Sequence, residues 1–141
     1  MRAFAAQIIP SDDASPGAEE AGAVHFIDRA LGRAPYAESA TVIRMGLDDL
    51  DTRARAVDGR LEFSALSAAQ QLAVMQGVEH EPFFTAARLL VVLGTFADPQ
   101  YGGNLGGVGW TMVGLDHRPT YNAPFGWYDA QDAAASAGTA Q

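Results

Sequence analysis

The chain has 141 residues and a formal net charge of −8, and its nine basic residues are all arginine, with no lysine and no cysteine. The length predicts one domain with a single core, and the acidic balance argues against nucleic acid or an anionic membrane surface as a direct partner. A chain without lysine or cysteine supplies no Schiff base, P-loop lysine, disulfide, thiolate nucleophile or iron–sulfur ligand.

Three helices are predicted in the first part of the chain. Residues 2–9 indicate a short helix that stops before Pro10. A turn then leads into a helix over 18–31, which has acidic residues in its first turn, where the helix dipole favours them. A third helix over 36–57 carries its apolar residues on one face and ends at Gly59.

Two more helices are predicted before the chain becomes irregular. Ser67, followed three residues later by Gln70, is typical of a capping box that opens a helix. Pro82 suits the first position of the next helix, and residues 83–96 are apolar on almost every side, which predicts the buried centre of a bundle. The sequence therefore predicts an all-α fold, with four or five helices forming a bundle over residues 1–97.

No segment predicts a membrane span or an export signal. The longest apolar stretch, 86–97, is interrupted by Arg88 and is shorter than the roughly 20 residues that a spanning helix needs. The N-terminal residues contain no hydrophobic region of adequate length and no twin arginine.

The most distinctive stretch of the sequence is residues 98–110, which read DPQYGGNLGGVGW. Its five glycines disfavour a stable helix or a central strand, because glycine loses the most backbone freedom on ordering. Its aromatic residues and Asn104 argue against a solvated linker. The stretch also lacks the GxGxxG spacing of a dinucleotide loop and follows a helix instead of a strand. An interface segment is the favoured interpretation, with Trp110 alternatively a core residue that closes the bundle.

Residues 98–141 as a whole show no helical periodicity and are predicted to form a long, irregular C-terminal arm of the same domain. The arm holds both tryptophans, three of the four tyrosines and eight of the fifteen glycines. Aromatic residues without a periodic scaffold of their own need another surface for their burial. We therefore expect the arm to become ordered on a partner protein.

A helical chain of this size that carries DPxYGGN followed closely by GW resembles the gluconate 2-dehydrogenase subunit 3 family. These proteins are the small subunits of bacterial, membrane-associated flavin dehydrogenases for sugars and sugar acids. The resemblance is strongest over 82–115 and weaker over 8–31, where IIPSDDASPGAEEAGAVHFIDRAL is similar to the family's Pro-Asp turn and first amphipathic helix. Members of the family often begin with a twin-arginine export signal, and this sequence departs from that pattern.

The resemblance implies a non-catalytic small subunit that binds, stabilises and helps to mature or export a large FAD-containing subunit of the glucose–methanol–choline oxidoreductase type. It implies FAD in the partner and no cofactor in this chain, and electron transfer to a cytochrome c subunit or another acceptor. It also implies a periplasmic location with the partner, with the cytoplasm as the alternative. It assigns eight residues to a shared motif: Asp98, Pro99, Tyr101, Gly102, Gly103, Asn104, Gly109 and Trp110. We infer that these residues contact the partner, together with Trp127 and Tyr128.

Two functions of other classes stay open, a free-standing helical ligand-binding module and a small metal-dependent enzyme that uses histidine and glutamate. The three histidines are far apart in sequence and none lies in an HxxxH or ExxH arrangement, so a helical di-metal centre is not supported. Glu79-His80-Glu81 is the best titratable cluster. Its position at a helix junction favours a solvated or capping role.

Overall fold

The computed structural model describes residues 1–118, 120, 122–123 and 125–138. This part of the chain is all-α, with no strand among the described residues. Four short 3₁₀ turns join or precede its helices. The helices are α1 (Arg2–Ile8), α2 (Ala23–Leu31), α3 (Ser39–Val57), α4 (Ala68–Gln76), α5 (Pro82–Phe96), α6 (Val108–Met112) and α7 (Trp127–Gly138).

The all-α prediction is confirmed, but the described residues contain seven helices where four or five were expected. The difference lies in the predicted arm, because α6 and α7 both fall in the stretch that was predicted to be irregular. Helix α6 has only five residues and follows a glycine-rich stretch, so its sequence shows no helical periodicity. Residues 119, 121, 124 and 139–141 of the predicted arm lie outside the described residues.

Helix α4 begins as the sequence predicts. The Gln70 backbone N–H donates to Ser67 Oγ at 3.4 Å, and the Ser67 N–H donates to Gln70 Oε1 at 3.0 Å, so both halves of the capping box are present. These two bonds satisfy donors that the first turn of the helix would otherwise leave without a partner. Pro82 likewise occupies the start of α5, as predicted.

Ser67→Ala should lower the free energy of unfolding by about 1 kcal/mol, since it removes the side-chain acceptor of the cap. Urea unfolding followed by circular dichroism measures the change. Ser64→Ala is the matched control, because Ser64 is also exposed and caps no helix. Equal stability of the two variants would contradict a contribution from the capping box.

Helix α2 begins five residues later than predicted. Glu20 Oε2 accepts a hydrogen bond from the Gly17 N–H at 2.8 Å, and this bond holds the pKa of Glu20 below its ordinary value. The chain then makes turns as far as Gly22, whose φ of +67° lies in the left-handed region that glycine tolerates best. Glu20, one of the acidic residues that indicated a helix start, therefore stabilises a turn instead.

Helix α5 is the centre of the packing and contacts α1, α2, α3 and α6. Two glycines allow its closest approaches. A Cβ atom on Gly94 would lie 2.7 Å from the Ala23 carbonyl oxygen of α2, and one on Gly46 of α3 would lie 1.9 Å from the Phe83 ring. Phe4 of α1 fills the next layer, with its ring centroid 5.4 Å from that of Phe83. Close backbone contact therefore joins the helices around α5.

The prediction that α5 is buried on almost every side is wrong for one face. Its inner residues are buried, but Leu89 is 51% exposed and Val92 is 37% exposed, and Phe96 is half-buried. Because these three residues are three and four positions apart, they lie on one side of the helix. We call Leu89, Val92 and Phe96 the α5 outer stripe. No helix within the described ranges is both long enough and apolar enough to span a membrane.

Candidate functional site

The glycine–aromatic segment, residues 98–112, begins with a capped turn directly after α5. The Asp98 side chain accepts from the Gln100 N–H at 2.9 Å and thereby caps the 3₁₀ turn Pro99–Tyr101. Proline fits the first position of this turn because its φ is fixed in the required range. Gly102 ends the turn with a φ of +103°. The DPxYG pattern is thus a complete turn with its own start and stop residues.

Asn104 ties this turn to the end of α5. Its side chain is fully buried, at 0% exposure, and both ends of the amide are used. Nδ2 donates to the Ala97 carbonyl at 2.9 Å, while Oδ1 accepts from the Gly109 N–H at 2.7 Å. The Asn104 backbone N–H donates to the Gly94 carbonyl at 2.8 Å. Its φ of +45° is a conformation that asparagine adopts more readily than most residues.

Two glycines of the segment are required by space. A Cβ atom on Gly103 would lie 2.1 Å from the Gly94 carbonyl oxygen, and one on Gly109 would lie 1.9 Å from the Thr95 carbonyl oxygen. Gly103 is not among the residues with a positive φ, so its role is close approach and not an unusual backbone conformation. The segment therefore packs directly against the backbone of α5.

Trp110 completes the contact with α5. Its Nε1 donates to the Phe96 carbonyl at 2.8 Å, and its ring lies 4.2 Å, centroid to centroid, from the ring of His117. The side chain is half-buried, so one part of the indole is fixed against the bundle while another part stays accessible. The end of an α-helix leaves carbonyl groups without intrahelical partners. Together, the Asn104 and Trp110 bonds make the segment an extended C-terminal cap of α5.

The ten residues predicted to contact a partner separate into groups in the structure. Asp98, Pro99 and Gly102 form the turn, while Gly103, Asn104 and Gly109 are buried within the chain. Trp110 is half-buried, and Tyr101 is 57% exposed. Trp127 and Tyr128 are exposed at the start of α7, with their ring centroids 5.0 Å apart. Contact of these residues with another protein stays a prediction. The exposed side chains among them are the ones that a partner could touch.

The α5 outer stripe was not predicted from the sequence. The three- and four-residue spacing of Leu89, Val92 and Phe96 was available as a signal. When a helix is apolar on nearly every side, however, its sequence does not indicate which face packs against neighbouring helices and which face stays exposed. Phe96 links the stripe to the segment, because its carbonyl accepts the Trp110 hydrogen bond.

The titratable residues around His80 form side-chain contacts at the surface, and none of them is fully buried. The His80 side chain is 94% exposed and its Nε2 lies 3.5 Å from Glu79 Oε1. Glu81 pairs with Arg53 at 3.0 Å, and Arg53 also pairs with Asp49 at 2.6 Å. Among the described residues, no three histidine, aspartate or glutamate side chains lie together as a group that could hold a metal ion.

Fold and surface together define a small all-helical domain that caps its central helix with a glycine–aromatic segment and leaves apolar side chains exposed beside that cap. Its residues 1–116 match the family described as gluconate 2-dehydrogenase subunit 3. The chain belongs to this family, as its DPxYGGN motif predicts. No curated protein and no solved structure matches it significantly.

Proposed function

We propose that this chain is the non-catalytic small subunit of a flavin-dependent dehydrogenase complex that oxidises a sugar, glycoside or sugar acid. In this role it binds and stabilises a large FAD-containing subunit of the glucose–methanol–choline oxidoreductase type, and helps that subunit to mature and to be exported to the periplasm. The FAD and the hydride chemistry reside in the large subunit, and a cytochrome c subunit or another acceptor receives the electrons. Membership of the subunit 3 family supports this assignment.

The observation that carries the proposal is the group of apolar side chains that α5 leaves accessible next to its cap. Leu89 and Val92 expose apolar side chains on the helix that forms the centre of the domain, and Trp110 lies beside Phe96 at the end of the same helix. Single exposed apolar residues are common, but a row of them on one helix face is typical of a protein–protein contact.

Hydrogen bonds within the chain already hold this surface in place, in contrast to the expectation that the whole arm becomes ordered on a partner. The buried polar atoms of Asn104 are all hydrogen-bonded, and the Trp110 indole N–H is also satisfied. A surface that is already ordered loses less conformational entropy when it binds. The segment thus supports binding in two ways, because it stabilises the end of α5 and presents Tyr101 and part of the indole to the partner.

The test is to purify the chain alone and together with the flavoprotein. The isolated chain should show no flavin absorbance and no oxidation of sugars or sugar acids. Co-expression with the large subunit should give a stable complex that carries flavin and has dehydrogenase activity. Bound flavin or substrate turnover in the isolated chain would overturn the proposal.

Trp110→Ala should weaken the complex far more than His80→Ala. Truncation of an indole at an interface costs about 2 kcal/mol or more, which corresponds to a roughly thirtyfold loss of affinity. Truncation of an exposed polar side chain such as that of His80 usually changes binding or stability by less than about 0.5 kcal/mol. Titration of each variant against the large subunit measures the dissociation constants. A complex that tolerates Trp110→Ala but not His80→Ala would place the contact at the α4–α5 junction instead.

A further inference from the structure

A small cavity of about 260 Å³ lies at the C-terminal end of α2, next to the Pro99–Tyr101 turn. Apolar groups of Phe26, Ala30 and Pro35 line it, and Arg29 and Arg33 stand at its edge. Arg29 lies in the last turn of α2 and Arg33 lies two residues beyond its end, and both residues line the pocket. We call this the arginine pocket.

Neither arginine of the pocket pairs with a carboxylate among the described residues. Within the part of the chain that the structure describes, Arg29 and Arg33 form no ion pair and their side chains make no hydrogen bond, and both residues are exposed. Four other arginines do pair with carboxylates, namely Arg2, Arg53, Arg55 and Arg118. Arg29 and Arg33 thus place two cations at one pocket of a chain whose net charge is −8.

One of these arginines lies against the glycine–aromatic segment. A Cβ atom on Gly102 would lie 2.7 Å from Arg29 Nη1 and 2.8 Å from Arg29 Cδ, so the arginine side chain lies directly over the glycine backbone. Gln100 and Tyr101 of the adjoining turn also line the pocket. The pocket is therefore continuous with the cap of α5 and with the exposed Tyr101 side chain.

We propose that the arginine pocket binds an acidic segment of the large subunit, which deepens the proposed function and rests on it. The guanidinium groups of Arg29 and Arg33 take an aspartate or glutamate carboxylate, and an apolar side chain beside that carboxylate packs on Phe26 and Pro35. Guanidinium and carboxylate groups match in planar, two-bond geometry. The rest of the chain repels an acidic segment, because the net charge is −8. Since such a segment is attracted at the arginine pocket, this attraction fixes the orientation in which the two subunits dock.

The test compares two double charge reversals in the complex with the large subunit. R29E/R33E changes the charge of the pocket. R55E/R60E makes the same change in charge near the C-terminal end of α3. The pocket is at the other end of α3, because its residue Tyr36 lies just before the N-terminal end of that helix. R29E/R33E should raise the dissociation constant about tenfold or more in about 0.05 M NaCl, and the effect should shrink in about 0.5 M NaCl, where exposed charges are screened. R55E/R60E should stay within about threefold of the wild type, since exposed pairs contribute little.

The outcomes separate this inference from the proposed function. If the wild-type complex forms and R29E/R33E binds as tightly as R55E/R60E, the arginine pocket is not the docking site and the subunit assignment stands. If the wild-type chain forms no complex with the flavoprotein, both proposals fail. Calorimetry measures citrate binding to the isolated chain. If R29E/R33E abolishes citrate binding but leaves the affinity for the large subunit unchanged, the pocket binds small anions and does not bind an acidic segment of the large subunit. R29Q/R33Q should show a smaller loss in the same direction, and circular dichroism checks that each variant is folded.

Discussion

Gly109→Ala is expected to destabilise the domain by about 3 kcal/mol, the upper part of the range for overpacking in a tightly packed region. The added methyl group would lie 1.9 Å from the Thr95 carbonyl oxygen, which belongs to the backbone of α5. A flexible side chain could move aside, but a helical carbonyl cannot move without disturbing the helix. The substitution should therefore separate α6 from α5 and weaken the Asn104 and Trp110 hydrogen bonds.

Urea unfolding with circular dichroism measures this effect, and Gly59→Ala is the matched control. A Cβ atom on Gly59 has only the Arg55 carbonyl oxygen near it, at 3.9 Å, so that variant should stay within about 0.5 kcal/mol of the wild type. A Gly109→Ala protein as stable as the Gly59→Ala protein would mean that the close contact between α6 and α5 does not form.

The double variant Leu89→Asp/Val92→Asp is expected to abolish the complex, with a loss of affinity of a hundredfold or more. A charge buried against an apolar surface without a partner costs at least about 3 kcal/mol, which corresponds to this loss. Both residues are exposed in the free chain, so the stability of the isolated variant should change little.

Val57→Asp/Leu72→Asp is the control for this experiment, because it adds the same two charges at exposed apolar positions on α3 and α4. The control should keep the affinity of the wild type for the large subunit. Loss of binding in both double variants would indicate a general effect of added negative charge. Loss in the control alone would place the interface on the α3–α4 side of the domain.

Local signals in the sequence predict the parts of the fold that local interactions decide. The Ser67–Gln70 capping box and the proline at the start of α5 depend on contacts within one turn, and both were predicted. The start of α2 was not, because the Glu20 carboxylate that favours a first helical turn also accepts the Gly17 N–H and stabilises a different turn. Two local structures compete there, and the left-handed Gly22 decides the outcome.

The candidate site was predicted as a motif but not as a structure. The glycines of residues 98–110 indicated an unusual backbone, yet sequence alone does not separate a requirement for positive φ from a requirement for space. Gly102 meets the first requirement, while Gly103 and Gly109 meet the second. The α5 outer stripe was missed because exposure depends on which neighbours cover a helix, and that is a property of the tertiary packing.

The most direct test of this account is hydroxyl-radical footprinting of side chains in the free chain and in its complex with the FAD-containing subunit. If α5 and its cap form the docking surface, Leu89, Val92 and Tyr101 lose reactivity in the complex, while Leu72 on α4 stays as reactive as in the free chain. Protection of Leu72 with unchanged reactivity at Leu89, Val92 and Tyr101 would contradict the assignment of α5 and its cap as the docking surface.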